Sequence, residues 1–457
     1  MKLTFALLTA FLLAFSTIDR AAAVSVKPNI IVIFTDDQTY RGIGYNNPEV
    51  KTPHLNALAA GGITFERGYV ASPICAASRA SMMTGRFPQQ HGVMGLGHPA
   101  FAPYRTNGAH AGQALPSRLA EAGYLTAFFG KSHLGKPKTY GFAVGDELGG
   151  HDDVEIFKKA TEFIESQPHA GKPFFLWLAP HQPHVPLLPE AQWLDLYPKG
   201  SIHLPKNFLT APTSASLNNQ GVPGQTYYRD SDYVKNIDRL PAGPPRDEAT
   251  ILAFTHAYHA VVSHLDDQVG RFADLLRNRG LLQNTVVFYL SDNGYHLGSH
   301  GLGNKITMHE ESVRVPMFAF GAGIKPGQKS RALVSSLDVY PTLIELGGTA
   351  SPPQSLMGKS LTPLLKDPTA PHRDTVFCEC VGVGGKSGEG HRMARSDRWK
   401  LILSDADEEF LFDEQADPFE LNNCSDDPTL APVLGRLRQE LAGWMKTIGD
   451  RPYPGVR

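Results

Sequence analysis

The sequence predicts an α/β fold, with a large and mostly parallel β-sheet between helices and a small antiparallel sheet near the C-terminus. Short apolar runs rich in β-branched residues alternate with longer segments whose apolar residues recur every three or four positions. This alternation is typical of parallel strands that are buried on both faces and joined by crossover helices. After Pro371 the runs are shorter and more closely spaced, and they end in a helical segment. That change indicates an antiparallel subdomain.

The strands of the large sheet are predicted from continuous apolar runs, of which Asn-Ile-Ile-Val-Ile-Phe at 29–34 is the first. The other runs lie at 125–129, 174–179, 285–290 and 315–320. Helical periodicity predicts the connecting helices at 53–60, 115–122, 152–166 and 247–279. Residues 197–246 are rich in Pro, Gly, Asn and Ser and predict an insertion over one end of the sheet. A surface excursion without a role is the alternative.

The C-terminal region is predicted to form short strands at 375–381, 391–395, 399–404 and 409–412, followed by a helix at 429–448. We therefore expect the chain to divide into three parts. They are a signal peptide at 1–23, a main domain at 24–370 and an α+β subdomain at 371–457.

The N-terminus has the features of a signal peptide. A positively charged start precedes an apolar run at 3–15, and three alanines at 21–23 supply small residues for cleavage. Because the run is short for a membrane span, we expect no stable membrane anchor, with an uncleaved anchor as the alternative. We therefore expect export, either to the periplasm or into the medium.

Composition limits the classes of function. The chain has 457 residues, of which 42% are hydrophobic, and this is enough for a large core. The formal net charge of −2 gives no indication of binding to nucleic acid or to an anionic membrane surface. Of the four cysteines, Cys75 stands apart from Cys378, Cys380 and Cys424. The three can form at most one disulfide, between Cys424 and either of the others, or else they are small buried residues.

Polar residues follow four of the predicted strands. They are Asp36-Asp37, Lys131-Ser-His133, His181-Gln-Pro-His184 and Ser291-Asp292-Asn293. Ligands of open α/β sheets bind beyond the carboxyl ends of the strands, so we expect these side chains to share one rim. A capping residue or a solvated loop charge would explain any one of them, but four together indicate a site.

The acidic part of this rim suits a hard cation. Asp36, Asp37, Asp292 and Asn293 offer only oxygen donors, which favour Ca²⁺, with Mg²⁺ as the alternative, over zinc. Carboxylates crowded together without a cation would repel one another. The histidines are better suited to proton transfer, because imidazole titrates near neutrality. A metal that only links strands is the structural alternative.

Cys75 lies just before a segment with helical character. The amides and dipole of a helix N-terminus favour an anion. Arg79, one turn later, could stabilise a charged nucleophile or an oxyanion. Taken alone, these features would also suit a cysteine thiolate nucleophile.

From about Pro28 to the C-terminus, the sequence resembles the sulfatase family. The resemblance rests on Cys75-Ala-Ala-Ser-Arg79 with Thr-Gly-Arg at 84–86, on the segment 123–133, on the paired aspartates, on 291–294 and on Lys305. Residues 392–401 are similar to the closing subdomain of the family. Ala77 departs from the proline that many members have, which leaves open which maturation system would recognise the segment.

The resemblance implies an alkaline-phosphatase-like sandwich, with 24–370 as the catalytic domain, and hydrolysis of sulfate esters. It implies that a maturation enzyme converts Cys75 to Cα-formylglycine, whose hydrate attacks sulfur and forms a covalent sulfo-enzyme. The implied catalytic residues are Cys75, Arg79, Lys131, His133, His184 and Lys305. The implied ligands of one divalent cation are Asp36, Asp37, Cys75, Asp292 and Asn293.

The same resemblance implies individual roles. His184 or Lys305 would protonate the departing alcohol, and His133 would take the proton of the second hydroxyl. Lys131 and Lys305 would hold the sulfate oxygens, and His184 is favoured over His181 as the acid.

The substrate is expected to be a small-molecule or an oligo- or polysaccharide sulfate. The segment 292–312 resembles sulfatases that act on sulfated carbohydrates, so a glycan sulfate is favoured. His296, His300, His309 and Arg314 are candidates for sugar contacts, with loop packing as the alternative. Two other functions remain open: a phosphatase or phosphodiesterase of the same superfamily, which Cys75 disfavours, and a non-catalytic binding homologue.

Overall fold

The computed structural model describes residues 27–95, 113–150, 153–166, 171–211, 247–302, 304–349, 356–380, 390–404 and 406–454. The predicted signal peptide at 1–23 and residues 212–246 of the predicted insertion lie outside these ranges.

One large sheet organises the main part of the molecule. Its strands in chain order are β1 (Asn29–Thr35), β2 (Gly62–Tyr69), β3 (Leu125–Gly130), β4 (Val144–Glu147), β5 (Phe174–Ala179), β6 (Thr285–Ser291), β7 (Met317–Gly321) and β8 (Gln328–Ser335). Across the sheet the order is β4-β3-β5-β1-β6-β7-β2-β8. Every pairing is parallel except those of β7, which runs antiparallel to both β6 and β2. The prediction of a large, mostly parallel sheet is confirmed.

The helices of the described residues pack around this sheet on both faces, apart from the last, which packs on the C-terminal sheet. They are α1 (Pro53–Ala60), α2 (Cys75–Thr84), α3 (Pro88–His91), α4 (Leu115–Glu121), α5 (Val154–Ser166), α6 (Ala191–Leu194), α7 (Glu248–Asn278), α8 (Glu310–Val313), α9 (Val339–Leu346), α10 (Thr362–Lys366) and α11 (Ala431–Ile448). Successive residues of β1 show why the strand is apolar along its length. Val32 packs into the core that includes α2, and Ile33 packs into the opposite core that includes α7.

The longest helix begins where the sequence predicts. Asp247 is the N-cap of α7, and its side chain accepts a hydrogen bond from the backbone N–H of Thr250 at 2.8 Å. Such a cap satisfies one of the free N–H groups at a helix start. Buried residues then recur at helical spacing along the 31 residues of α7, which places its apolar face against the sheet.

Three strands of the large sheet were missed by the sequence analysis. β8 is an edge strand, and β2 lies between β7 and β8. Both have polar residues at several positions, among them Glu66, Arg67, Lys329 and Arg331. β4 is a four-residue edge strand that is largely exposed. The edge strands β4 and β8 are solvated on one side and lack the continuous apolar run that identifies central strands. In β2 the run is interrupted by Glu66 and Arg67.

The C-terminal sheet is antiparallel, as predicted. Its strands are β9 (Val376–Cys380), β10 (His391–Arg395), β11 (Trp399–Ser404) and β12 (Glu409–Asp413), in the order β12-β11-β10-β9. Leu401 on one face packs with Leu441 of α11, whereas Met393 and Ile402 on the other face join the core of the large sheet. The small sheet is thus enclosed between α11 and the main body.

All four cysteines are free, so the disulfide considered from the sequence is absent. Cys378 and Cys380 lie on β9 at one edge of the small sheet. Cys424 donates its backbone N–H to Leu411 of β12, at the opposite edge. Two strands lie between these edges, so the sulfur atoms are too far apart to bond. None of the described helices is long and apolar enough to cross a membrane.

Candidate active site

The polar residues predicted from the strand ends meet at one rim of the large sheet. Asp36 and Asp37 follow β1, Lys131 and His133 follow β3, His184 follows β5, and Asp292 and Asn293 follow β6. Cys75 begins α2 beyond the end of β2, and Lys305 lies in the loop after β6. These strands run in the same direction, so their carboxyl ends bring the side chains together.

Cys75 lies at the centre of the cluster. Its Sγ is 3.4 Å from Asp36 Oδ1 and 3.9 Å from Asp37 Oδ1, and the Lys305 ammonium donates to it at 2.7 Å. The residue is only 1% exposed. Burial, together with the charge of Asp36, raises the pKa of the thiol far above its usual range. In these surroundings the unmodified thiol would hold its proton at neutral pH.

Three buried carboxylates surround this position. The backbone N–H of Asp37 donates to Asp292 Oδ1 at 3.2 Å, and no part of Asp36, Asp37 or Asp292 is exposed. Burial raises the pKa of Asp292 to about 7, and the charge of Asp36 adds to the effect. A bound cation would relieve both effects, because its charge offsets the burial of the carboxylates and their mutual repulsion.

The donor set fits a divalent cation. Asp37 Oδ2 and Asn293 Oδ1 are buried and accept no hydrogen bond from the described residues. Together with Asp36 and Asp292 they offer oxygen ligands, which hard cations prefer. Asp36, Asp37, Cys75 and His184 also bring ligand atoms within 4.8 Å of one another. The Asn293 amide nitrogen donates to Asp37 Oδ1 at 2.7 Å, which leaves the amide oxygen available as a ligand.

Two cations, Arg79 of α2 and Lys131 after β3, form ion pairs with the acids. The guanidinium of Arg79 binds Asp292 Oδ2 through Nε at 2.9 Å and also donates to the backbone carbonyl of Lys131 at 2.7 Å. Lys131 forms an ion pair with Asp36. Burial alone would raise the pKa of Asp36, but Lys131, His184 and Arg79 outweigh burial, and the pKa lies well below its usual range. Asp36 is therefore ionised at neutral pH.

Lys305 occupies the opposite side of Cys75. Its ammonium contacts both Asp37 Oδ1 and Cys75 Sγ. Burial would lower the pKa of Lys305, but the carboxylate of Asp37 raises it well above the usual value. Lys305 therefore remains a cation, although it is buried.

The two candidate histidines, His181 and His184, differ in position. His184 Nε2 lies 3.8 Å from Asp37 Oδ2, and its Nδ1 lies 2.5 Å from the carbonyl of Val185. Burial, with the nearby charge of Lys131, lowers the pKa of His184 to about 4. His181 instead lies beside Asp153, with 3.4 Å between Nδ1 and Oδ1. His184 thus lies beside Asp37 of the acidic cluster, whereas His181 lies beside Asp153.

His133 lies at the border of the site and is partly exposed. It adopts φ = 58°, and its backbone N–H donates to Glu147 at 3.1 Å. Burial and the charge of Lys131 lower the pKa of its imidazole to about 3. The ring is therefore neutral at physiological pH and could accept a proton.

Several supporting residues gave no signal in the sequence. The Tyr258 hydroxyl, from α7, donates to the carbonyl of Asp37 at 2.7 Å and accepts from the N–H of Thr39 at 3.0 Å. The carboxylate of Asp153 accepts the backbone N–H groups of His181 and Gln182, both at 2.8 Å. Buried Tyr and Asp side chains have no local pattern that separates support of a loop from ordinary packing.

The residues considered for sugar contacts are packed within the protein. His296 is fully buried and contacts the Thr307 hydroxyl at 2.8 Å, and His309 is buried against the ring of His300 at 4.0 Å. Arg314 donates to the carbonyl of Glu66 and pairs with Glu310. The loop-packing alternative describes these side chains better than sugar binding.

Comparison with known proteins agrees with this geometry. A family model described as "Sulfatase" matches residues 28–349. The chain belongs to the sulfatase family. A second model, "N-sulphoglucosamine sulphohydrolase, C-terminal", matches residues 298–447. Sulfatases hydrolyse sulfate esters and generally use a formylglycine and a divalent cation.

Individual sulfatases align along most of the chain. An N-acetylglucosamine-6-O-sulfatase of Bacteroides thetaiotaomicron is 26% identical over 93% of this chain and 87% of its own length. Arylsulfatase A of Bos taurus is 30% identical over 78% of this chain and 71% of its own. A solved structure in complex with its substrate D-glucosamine-2-N,6-O-disulfate superposes with a TM-score of 0.78 and 25% identity, covering 94% of this chain and 100% of its own.

Proposed function

We propose that the protein is a sulfatase of sulfated carbohydrates that uses a formylglycine made from Cys75. The observation that carries this proposal is the position of Cys75, whose Sγ lies within 4 Å of two carboxylates and one ammonium at the strand ends. The substrate class is supported by the relatives, because an N-acetylglucosamine-6-O-sulfatase and a complex with a sulfated glucosamine are both similar to this chain.

The cation that we propose is Ca²⁺, held by Asp36, Asp37, Asp292, Asn293 and the modified side chain at position 75. When bound, it would polarise the sulfate ester and neutralise the carboxylates. The buried acceptor atoms of Asp37 and Asn293 support this ligand set.

The remaining side chains would bind the sulfate and move protons. When hydrated, formylglycine supplies a geminal diol. One hydroxyl would attack sulfur, and deprotonation of the other would restore the aldehyde and expel the first oxygen with the sulfate. Arg79, whose guanidinium is fixed by Asp292, would orient the attacking group. Lys131 and Lys305 remain charged and would bind the sulfate oxygens, where a buried cation stabilises developing negative charge.

Two histidines would divide the proton transfers. We propose that His184, beside Asp37, donates a proton to the departing alcohol oxygen when the bond from sulfur to that oxygen breaks. Because the pKa of His184 is about 4 in the free site, it would first have to take up a proton as the anionic sulfate binds, since a nearby negative charge raises the pKa of an imidazole. His133, neutral and at the border of the site, would accept the proton of the second hydroxyl. Lys305 is the alternative donor, because its ammonium reaches the side chain at position 75, where it contacts Cys75 Sγ.

The proposed export signal at 1–23 and the division near residue 370 follow from the sequence alone. Release of the mature protein would place its N-terminus near Val24, which N-terminal sequencing of the exported protein would show.

The mass of the tryptic peptide Gly68–Arg79 tests the proposed chemistry. In protein from the natural host, we expect the mass of formylglycine in place of Cys75, and hydrolysis of N-acetylglucosamine 6-sulfate by the same preparation. An unmodified thiol in active protein would exclude the formylglycine mechanism. Formylglycine in protein that hydrolyses aryl sulfates but no sulfated sugar would exclude the proposed substrate class.

A further inference from the structure

A second cavity lies where the edge of the large sheet meets the C-terminal sheet. It has a volume of about 730 Å³ and is formed by β2, β8, the segment before β9, the turn between β10 and β11, and α11. We call it the seam cavity. Its cationic lining residues are Arg67, Lys329, Arg331, Arg373, Arg398 and Arg436. A volume of this size is typical of small-molecule sites and would hold a short stretch of an oligosaccharide.

The seam cavity is separate from the active site. None of the predicted site residues lines it. The segment 368–374, which does line it, leads into the first residue of β9. At the other end of β9, Cys380 Sγ lies 3.8 Å from the carbonyl of Ile306, next to Lys305. β9 extends over about 13 Å at about 3.4 Å per residue, so the two sites lie at opposite ends of this strand.

The lining is rich in cations, and two of them carry charge that is little compensated. Beside the six cationic side chains it contains the carboxylates of Asp374 and Asp397. Carboxylates outside the lining pair with the arginines at 373, 398 and 436, so the positive charge left to a ligand comes mainly from Lys329 and Arg331. The whole chain, in contrast, has a formal net charge of −2. A concave surface of one sign concentrates ions of the opposite sign. The seam cavity therefore favours an anion.

Two of the arginines are fixed in position by hydrogen bonds. Arg67 lies at an irregularity in the pairing of β2 with β8, where its Nε donates to the carbonyl of Arg331 and its Nη1 donates to Asp397. Arg398 Nε donates to both carboxylate oxygens of Asp413 at 3.0 Å. A guanidinium has five N–H donors, so these bonds leave donors for a second anion. Fixed guanidinium groups also lose less entropy when they bind one.

Lys329 and Arg331 are the least compensated of the cations. They occupy alternate positions of β8 and therefore point to the same side of the strand. The Arg331 side chain is 86% exposed and lies 4.0 Å from the nearest oxygen of Glu66. Lys329 forms no ion pair with the residues that the structure describes. Their charges are available to a ligand, and substituting them would leave the fold unchanged.

We infer that the seam cavity binds a sulfated stretch of a polysaccharide, at a distance from the active site. This inference rests on the proposed function for the class of ligand, because sulfate groups repeated along a sugar chain match several guanidinium groups in one cavity. The lining disfavours single-stranded nucleic acid, which stacks its bases on exposed aromatic rings. Trp399 is the one Phe, Tyr or Trp side chain in the lining, and Arg398 already covers its ring at 4.8 Å.

A second binding site would increase the local concentration of a polymeric substrate. Once one part of a chain is held in the seam cavity, binding of another part at Cys75 becomes intramolecular. The benefit applies only to substrates long enough to reach both sites. The seam cavity should therefore lower the KM for a polymer and leave the KM for a monosaccharide unchanged.

The test compares two charge reversals in the full-length protein. K329E/R331E changes the seam cavity, and K158E/R271E makes the same change of net charge on the exposed surfaces of α5 and α7. Both are combined with Cys75→Ala, so that the probe is not consumed. The probes are heparin, its chemically desulfated form and a single-stranded oligodeoxynucleotide, and the readout is the dissociation constant by calorimetry at fixed salt.

We expect K329E/R331E to bind heparin at least about tenfold more weakly than the parent, and K158E/R271E to remain within about twofold. Equal affinities of the two double variants would overturn the inference, because the effect would then be one of net charge alone. An oligodeoxynucleotide bound as tightly as heparin, or desulfated heparin bound equally well, would also overturn it.

The outcome is independent of the proposed function. Binding is measured in a variant without the nucleophile, so it does not require hydrolysis. A seam cavity that binds heparin in a protein that hydrolyses no sulfated sugar would support this inference and refute the proposed function. Hydrolysis of N-acetylglucosamine 6-sulfate together with unchanged heparin binding in K329E/R331E would support the proposed function and refute this inference.

Discussion

Cys75 differs from the other cysteines in what surrounds it. Cys378 and Cys380 are buried among apolar neighbours of the main core, and Cys424 is partly exposed beside β12. Cys75, although equally buried, is surrounded by two carboxylates and an ammonium. Burying charges costs free energy unless they are paired. Clusters of buried charges with perturbed pKa values are found most often at functional sites.

Replacement of Cys75 by alanine should abolish hydrolysis and preserve the fold. Alanine provides neither a formylglycine nor a thiol, so we expect the rate to fall by at least about a thousandfold. The side chain is small, so the free energy of unfolding should change by no more than about 1 kcal/mol. Steady-state rates on an aryl sulfate and urea denaturation measure the two effects. Residual activity near that of the parent would contradict the assigned nucleophile.

The residues at the strand ends were predictable, whereas those in the loops were not. Asp36, Asp292 and Lys131 directly follow buried strands, so the direction of the chain fixes the edge at which they lie. His296 and His309 belong to a long connection after β6, in which neighbouring residues point in different directions. Whether such a side chain faces a cleft or the core depends on the packing of the loop, and no local pattern shows this.

At the scale of elements, a buried ion cluster joins the C-terminal sheet to the main body. Lys400 of β11 is completely buried, and its ammonium lies 2.8 Å from Glu310 of α8 and 2.6 Å from Glu420. Glu414 completes the set at 3.2 Å. Removing one partner of a buried ion pair leaves the other charge uncompensated, which is strongly destabilising.

The variant Lys400→Met should therefore lower the free energy of unfolding by about 3–5 kcal/mol. The matched control is Lys446→Met, on the exposed side of α11 in the same subdomain, which should change it by less than about 0.5 kcal/mol. Urea denaturation followed by circular dichroism compares the midpoints. Similar midpoints for both variants would show that the cluster does not hold the two sheets together.

Glu379 of β9 should make stability depend on pH. Burial raises the pKa of Glu379 to about 8 in the folded protein, and the charge of Asp450 adds to this. Its backbone partner is the N–H of Gln89, at 3.0 Å. Between its unfolded pKa, about 4.3, and its folded pKa, the folded protein holds a proton that the unfolded chain releases. The stability of the parent should therefore fall as pH rises through this window.

Glu379→Gln removes this titration. As the pH rises from about 5 to about 8, the free energy of unfolding of the variant should increase by a few kcal/mol relative to that of the parent. Urea denaturation of both proteins at the two pH values measures this change. Glu345→Gln, at an exposed position of α9, serves as the control and should follow the parent. A constant difference between Glu379→Gln and the parent at both pH values would exclude Glu379 as the titrating group.

Most interior strands were predicted from the sequence, whereas the two edge strands and the interior strand β2 were not. β1, β5 and β6 are buried on both faces and read as continuous apolar runs. β2 and β8 have polar side chains on their outer side, so they show no such run, and their pairing depends on residues far apart in the chain. The same polar residues form part of the seam cavity, so the sequence also gave no sign of that site.

At the scale of the whole molecule, the acids of the active site should link metal binding to stability. Asp36 and Asp37 follow β1, Asp292 follows β6, and all three are completely buried. A cation that binds only the folded arrangement would stabilise the protein by about 2.7 kcal/mol at a free concentration one hundred times its Kd. Chelation should therefore lower the melting temperature, and added Ca²⁺ should restore it.

Asp292→Asn separates this effect from general salt effects. The amide removes one of the buried charges but keeps the shape of the side chain, so Ca²⁺ should no longer raise the melting temperature. Differential scanning calorimetry with and without a chelator, together with the metal content of the protein, measures the change. The same Ca²⁺-dependent shift in parent and variant would exclude Asp292 as a ligand.

The burial of Cys75 also limits when its thiol can be modified. Lys305, which contacts its Sγ, lies 230 positions further along the chain, so the pocket is complete only when both segments have been synthesised and have folded together. Once the pocket is complete, only 1% of the surface of Cys75 is exposed, so another protein can no longer reach its thiol. An enzyme that oxidises this thiol has to reach it on the nascent or unfolded chain. The speed of folding would then decide what fraction of the molecules ever becomes active.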